Sequence, residues 1–252
     1  MLEPFVLKSR GKDMLCLAEY ADYKERGRNV IVIRQGFLGY MSLTYRLMSD
    51  FCHILIENSY TTVRFDPLGS GVSEGDSSYM TVYGEIEDLN QVIKHVREEM
   101  KPEKIILLGY SLGGLEAAVC ANEADIDGLI LWSPCSNAYN CVRYILGDRL
   151  FFQGMEGSDI CFDGNNIGKE FFDGIDSIEI DPIGKIEGFA KQVYLIHGSG
   201  DDEVFDINSK RFLDVLPDAH LKIIDGANHS YSNMNHRREL WDITLKYIED
   251  II

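Results

Sequence analysis

Residues 109–113 read Gly-Tyr-Ser-Leu-Gly, directly after the apolar run 105–108 and at the head of the Ala-rich stretch 112–124. A serine on a turn between a strand and a helix is forced into a strained conformation that lifts its hydroxyl out of the sheet. A β-carbon two residues before or after it would strike neighbouring backbone, so both flanking positions call for glycine. Ser111 is therefore the candidate nucleophile. A serine hydroxyl is a weak nucleophile and needs a base, itself held by an acid. With the serine on such a turn, acid and base belong on loops after later strands, in the order Ser, acid, His.

Six histidines compete for the base: His53, His95, His197, His220, His229 and His236. Only His229, in Asp225-Gly226-Ala227-Asn228-His229, stands just after a final strand-like run and before a closing helix. His53 and His95 precede the serine, and His197 ends the run 193–196, where a structural role is expected. Downstream of that run, His197-Gly198-Ser199-Gly200-Asp201-Asp202-Glu203-Val204 offers three consecutive carboxylates. The spacing H-G-x-x-D-x-x-V selects Asp201, with Asp202 as runner-up. A carboxylate there fixes the imidazole tautomer and stabilises the imidazolium that forms. An oxyanion intermediate needs two backbone donors. One is the amide after the nucleophile, Leu112. The other belongs to the loop Arg34-Gln35-Gly36-Phe37-Leu38-Gly39, at Phe37.

Stepping from site to scaffold, the apolar, β-branched runs 30–33, 61–65, 105–108, 129–132, 193–196 and 221–224 lack clean alternation, which is the pattern of strands buried on both faces. Between them, 83–100 places Ile86, Leu89, Val92, Ile93 and Val96 at helical spacing, 112–124 is Ala-rich, and 234–252 reads as a closing helix. Strands alternating with helices predict a doubly wound α/β sheet. An N-terminal pair around 5–7 and 15–17, turned at Arg10-Gly11-Lys12, predicts a hairpin.

The segment 135–187 breaks this rhythm and is expected to be a lid or binding insertion in an otherwise single domain of residues 1–252. It carries ten acidic against four basic residues and seven aromatics. Of these aromatics, Tyr139, Tyr144 and Phe162 are the expected substrate-binding residues. The net −6 of the segment should disfavour polyanionic substrates such as acyl-CoA.

With 24 Lys and Arg against 41 Asp and Glu, the net charge of −17 argues against nucleic-acid and membrane-surface partners. The six cysteines form no CxxC pair and read as reduced, and no H-E-x-x-H or clustered Cys/His set calls for a metal. Gly69-Ser70-Gly71 starts like a dinucleotide fingerprint, but Glu74 takes the third glycine position; 164–169 is one residue short of a P-loop. Neither cofactor nor metal is expected. The N-terminus has Pro and charges where a signal segment needs an apolar run, and no run approaches the ~20 residues of a span, so a cytoplasmic protein is expected.

Together these residues resemble the α/β-hydrolase superfamily over nearly the whole chain. The segment 65–75 contains Asp66-Pro67-Leu68-Gly69-Ser70-Gly71-Val72-Ser73, similar to that superfamily's D-x-x-G-x-G-x-S loop, and 35–39 is similar to its H-G-F-x-G oxyanion loop with Gln35 in place of His. That exchange keeps the Phe37 amide but changes the hydrogen bonds that steady the loop. Within the superfamily the insert position and Gly226-Ala227-Asn228-His229 look most like feruloyl (cinnamoyl) esterases and serine peptidase-like hydrolases. The resemblance implies a mostly parallel central sheet flanked by helices, with a cap insertion after strand 6. It also implies a metal-free serine esterase acting on a small-molecule ester through an acyl-enzyme. Peptidase and thioesterase are the rival activities, a non-catalytic binding protein is the rival class, and a homodimer is compatible with it.

Overall fold

The computed structural model describes every residue but Glu25, Leu43 and Pro217, with Thr44 described by its backbone alone. The N-terminal hairpin is β1 (Leu2–Ser9) and β2 (Lys12–Glu19), reversing at Gly11 with φ +76°. The six apolar runs become β3 (Asn29–Arg34), β4 (Thr61–Phe65), β5 (Lys104–Tyr110), β6 (Gly128–Trp132), β9 (Gln192–Gly198) and β10 (His220–Ile224). Strands β7 (Ile160–Phe162) and β8 (Asn165–Ile167) form a separate small hairpin. The main sheet runs β1-β2-β4-β3-β5-β6-β9-β10, antiparallel only where β2 meets its neighbours and parallel from β4 onward.

The absence of alternation in the strand runs has the expected cause. Ile31, Ile33, Ile106, Leu108, Ile130, Trp132 and Ile196 pack on one side with α1 (Leu47–Glu57) and α7 (Met234–Ile251). Their neighbours Val30, Val32, Ile105, Leu107, Leu129, Leu131 and Leu195 pack on the other with α2 (Val82–His95), α3 (Leu112–Cys120) and α6 (Ile207–Val215). Both faces are covered, so apolar residues stand at successive strand positions without alternation, and each fully buried large apolar side chain contributes roughly 1.5–3 kcal/mol.

The strand order reverses between β4-β3 and β5-β6, and it is at such a switch point, beyond the carboxyl ends of the strands, that open α/β sheets hold their ligands. Register places the site there. Arg34 of β3 pairs with Gly109 of β5, so two residues further on Gly36 lies beside Ser111. Likewise Ile224 of β10 pairs with Gly198 of β9, which brings the loops carrying His229 and Asp201 together.

The insertion follows β6. Helix α4 (Ala138–Met155) starts at Asn137, whose side chain accepts the Asn140 N–H, and breaks at Gly147 with φ +73°. That break explains why no helical period could be read there. Phe151, Phe171, Phe172, Ile160, Ile167, Ile175 and Ile180 make its own apolar core, joined to Leu112, Leu115 and Val119 of α3. The end of the segment 135–187 packs apart from this core. Helix α5 (Pro182–Ile186), capped by Asp181, buries Ile186 with α3 in the core beneath the sheet, on the side opposite α1 and α7. Pro182 at the first helical position and the Ile183/Ile186 spacing make it an ordinary covering helix of the main domain.

Candidate active site

Ser111 has φ +59° and ψ −123°, a conformation costly for any side chain that bears a β-carbon. It persists because the turn has no slack. A β-carbon at Gly109 would meet the Gly113 carbonyl oxygen at 2.5 Å, and one at Gly113 would meet the Gln35 carbonyl oxygen at 2.0 Å. The Ser111 hydroxyl stands 2.9 Å from Nε2 of His229, and His229 Nδ1 stands 2.7 Å from Oδ2 of Asp201. Because a carboxylate can only accept, Nδ1 carries the proton, leaving Nε2 to accept from the Ser111 hydroxyl.

Asp201 is buried against His229, whereas Asp202 is exposed. Its Oδ1 accepts the Val204 N–H at 2.8 Å and the Glu203 N–H at 3.1 Å. Burial alone would raise the Asp201 carboxyl; hydrogen bonds from His197, His229 and the Val204 N–H outweigh it and hold the group well below the usual carboxylate range. Tyr110 braces the base from below: its ring stacks on His229 at 5.0 Å and its hydroxyl donates to the His229 carbonyl at 2.9 Å. Sequence reasoning missed Tyr110, although it sits inside the turn motif itself.

The Leu112 amide is the first N–H of α3, one of those with no intrahelical acceptor. Phe37 follows Gly36, where a β-carbon would meet the Ser111 β-carbon at 2.8 Å. Its loop is closed by the Gly39 N–H donating to the Gly36 carbonyl. Gln35 does not replace a histidine's bonds: it is buried, and among the described residues neither its amide oxygen nor its amide nitrogen has a partner. Other groups anchor the loop instead. Ser70 donates to the Gly39 carbonyl at 2.7 Å, and Asp66 accepts the Met41 N–H at 2.7 Å and the Val72 N–H at 3.0 Å. Just upstream, the fully buried Arg34 contacts Glu116 and reaches Glu85 at 2.9 Å. Burial, with the charge of Glu85 beside it, pushes the Glu116 carboxyl well up despite Arg34.

These groups open onto a cleft of about 490 Å³, walled by Phe37, Tyr40, Tyr45, Ile145 and Phe162 and carrying the carboxylates of Asp163 and Glu203. Of the three expected substrate-binding residues only Phe162 lines it. Tyr139 packs edge-on to Phe151 inside the insertion. Tyr144 meets Phe205 at 4.9 Å over a second hollow of about 540 Å³ on the other side of Glu203. Both sit on the first half of α4, whose Ile145 is the residue that lines the cleft. Among the described residues no three His, Cys, Asp or Glu side chains converge as metal ligands would, and no helix is long and apolar enough to cross a membrane.

The class of fold is set by the sheet order and the strand–turn–helix at Ser111: the chain has the α/β-hydrolase fold. Its structure superposes on that of Est1E from Butyrivibrio proteoclasticus with ferulic acid bound, at a TM-score of 0.84 and 20% identity over 98% of each chain. It also matches a soluble variant of monoglyceride lipase from Saccharomyces cerevisiae in complex with a substrate analogue (TM-score 0.78, 16% identity, 100% of this chain and 97% of that one). Mouse alpha/beta hydrolase domain-containing protein 10 matches at a TM-score of 0.73 and 18% identity, over 99% and 100% of the two chains. At these identities the likeness is one of fold. In sequence, the serine aminopeptidase (S33) family profile matches residues 26–147, just under half the chain. The uncharacterized protein YfhR of Escherichia coli O157:H7 is 27% identical over 99 residues, 39% of this chain and about a third (33%) of its own length.

Proposed function

We propose that the protein is a serine hydrolase that cleaves carboxylic esters through an acyl-enzyme, with small aryl, hydroxycinnamoyl or medium acyl esters as substrates. The observation that carries this reading is the continuous Ser111–His229–Asp201 chain, at 2.9 and 2.7 Å, beside two backbone amides on adjacent strand ends. His229 Nε2 takes the Ser111 proton as the oxygen attacks the ester carbonyl. The Phe37 and Leu112 amides hold the oxyanion, and Asp201 stabilises the imidazolium. As the tetrahedral intermediate collapses, the ester C–O bond breaks and His229 returns the proton to the leaving alkoxide. Water, deprotonated by His229, then attacks the acyl-enzyme, and the acid product leaves with Ser111 reprotonated.

The substrate class follows from the cleft. Its aromatic walls suit a flat or medium apolar acyl group, and its carboxylates Asp163 and Glu203 repel anions such as acyl-CoA. The ferulate held by the similarly folded Est1E supports the same choice. The same two carboxylates favour a second reading, an aminopeptidase-like enzyme whose substrate ammonium they would hold, in keeping with the matched family profile. Hydrolysis of hydroxycinnamoyl and p-nitrophenyl esters, aminoacyl amides and acyl-CoA under one set of conditions separates these. Aminoacyl amides turning over faster than every ester would replace the esterase reading with the second.

A further inference from the structure

We infer that His197 is a positioning residue for the acid Asp201, itself oriented by Ser209, so that the working unit is the buried chain Ser209–His197–Asp201–His229–Ser111. This rests on the acyl-transfer reading above and extends it to a second histidine.

His197 ends β9 and is fully buried. Its Nε2 stands 2.6 Å from the Val204 carbonyl oxygen and 3.3 Å from Oδ2 of Asp201. Both are acceptors, so Nε2 carries a hydrogen shared between them. In the neutral ring Nδ1 must then accept, and the hydroxyl of Ser209 on α6, 2.7 Å away, is its donor. Ser209 thus selects the tautomer that presents an N–H to Asp201. The contact with Val204 ties the start of the acid loop to its end, while the Val204 N–H holds Oδ1 of Asp201 from the other side.

The arrangement completes the carboxylate. Oδ1 receives two backbone N–H groups, and Oδ2 receives His229 at 2.7 Å and His197 at 3.3 Å. Held by these contacts on both oxygens, the carboxylate resists rotation away from His229. The longer bond from His197 leaves most of the acceptor strength of Oδ2 to His229, as the acid's role requires. An aliphatic side chain could fill the space of His197; it could supply neither the second donor to Oδ2 nor the tie across the loop.

Two isosteric halves of the imidazole separate positioning from packing. In His197→Gln the amide nitrogen reaches the place of Nε2 and keeps a donor for Val204 and Asp201. In His197→Asn it reaches only the place of Nδ1. The readouts are the rate of fluorophosphonate labelling of Ser111, kcat and KM on p-nitrophenyl acetate, and Tm. Both variants should lower Tm alike. The Gln variant should lose at most about tenfold in kcat and labelling rate, and the Asn variant about 10²-fold with KM unchanged, the loss that a displaced catalytic group brings. Equal losses in the two, or losses that follow Tm, overturn the inference. Ser209→Ala is the milder probe should the histidine variants fail to fold. It should lower kcat about tenfold at constant KM, and an unchanged kcat overturns the inference. A wild-type protein that takes no label at Ser111 instead removes the acyl-transfer reading, and the positioning role with it.

Discussion

The ring of Phe37 stands 5.2 Å, centroid to centroid, from the ring of Phe171. Phe37 carries one of the two amides assigned to the oxyanion, and Phe171 belongs to the buried aromatic core of the insertion. The insertion therefore does more than roof the cleft: it packs directly on the residue whose amide is the proposed oxyanion donor. Phe172, its neighbour, packs on Phe151 and Phe171 instead.

From this coupling, Phe171→Ala and Phe172→Ala should differ in kind. Each removes a buried ring and should cost about 3–5 kcal/mol of stability. Only Phe171→Ala should also lower kcat by on the order of 10-fold to 10²-fold, since misplacing a catalytic group by ~1 Å has that scale. Denaturant titration alongside kcat on a p-nitrophenyl ester checks both, and equal kcat losses would disprove the coupling.

Ser111→Ala should abolish covalent labelling by a fluorophosphonate and reduce turnover about 10⁶-fold, as loss of a nucleophile does. The fold should survive, because alanine occupies the same cramped turn with one atom fewer. Intact mass after labelling and a circular dichroism melt give the answer; activity within tenfold of wild type would remove Ser111 from its role.

Asp201→Asn should cost on the order of 10⁴ in kcat, because an asparagine amide favours the wrong imidazole tautomer. Asp202→Asn, at an exposed position, should leave kcat near wild type. Reversed effects in steady-state kinetics would make Asp202 the acid.

Glu116 holds its proton in the fold above the pH at which the unfolded chain, with an ordinary carboxyl near 4.5, releases it. Its contribution to stability is therefore full at pH below that ordinary value and diminishes as pH rises through the raised one. Glu116→Gln keeps the neutral amide beside Glu85 and Arg34 and has no proton to lose, so its unfolding free energy should decline less steeply than that of wild type as pH rises above about 4.5. Urea unfolding at a series of pH values from acid to neutral tests this, and parallel curves would show that Glu116 is ionised in the fold.

Neutral hydroxycinnamoyl esters should exceed acyl-CoA in kcat/KM, with the gap narrowing at high salt as repulsion from Asp163 and Glu203 is screened. Acyl-CoA winning at low ionic strength would make a thioesterase the leading reading.

Much of the fold and the triad was legible in the sequence because each depends on local rules. Runs apolar at successive positions point to strands covered on both faces, and Gly-x-Ser-x-Gly points to a turn that only glycine permits at its flanks. Each of the three candidates follows its own strand, so order and spacing single out Ser111, Asp201 and His229, and the fold sets Ser111 and Asp201 on either side of His229. What the tertiary structure alone decided are contacts between segments far apart in sequence. Tyr139 and Tyr144 lie outside the cleft because their rings pack on Phe151 and Phe205, and the first half of α4 turns Ile145 to the cleft instead. The last turn of the insertion went to the main core because Ile186 found α3. His197, unremarkable at the end of a strand, became a partner of Asp201 through a loop closure and a serine on the following helix. Backbone pattern is written residue by residue along the chain; which side chain meets which depends on register, helix rotation and packing, and these exist only once the chain has folded.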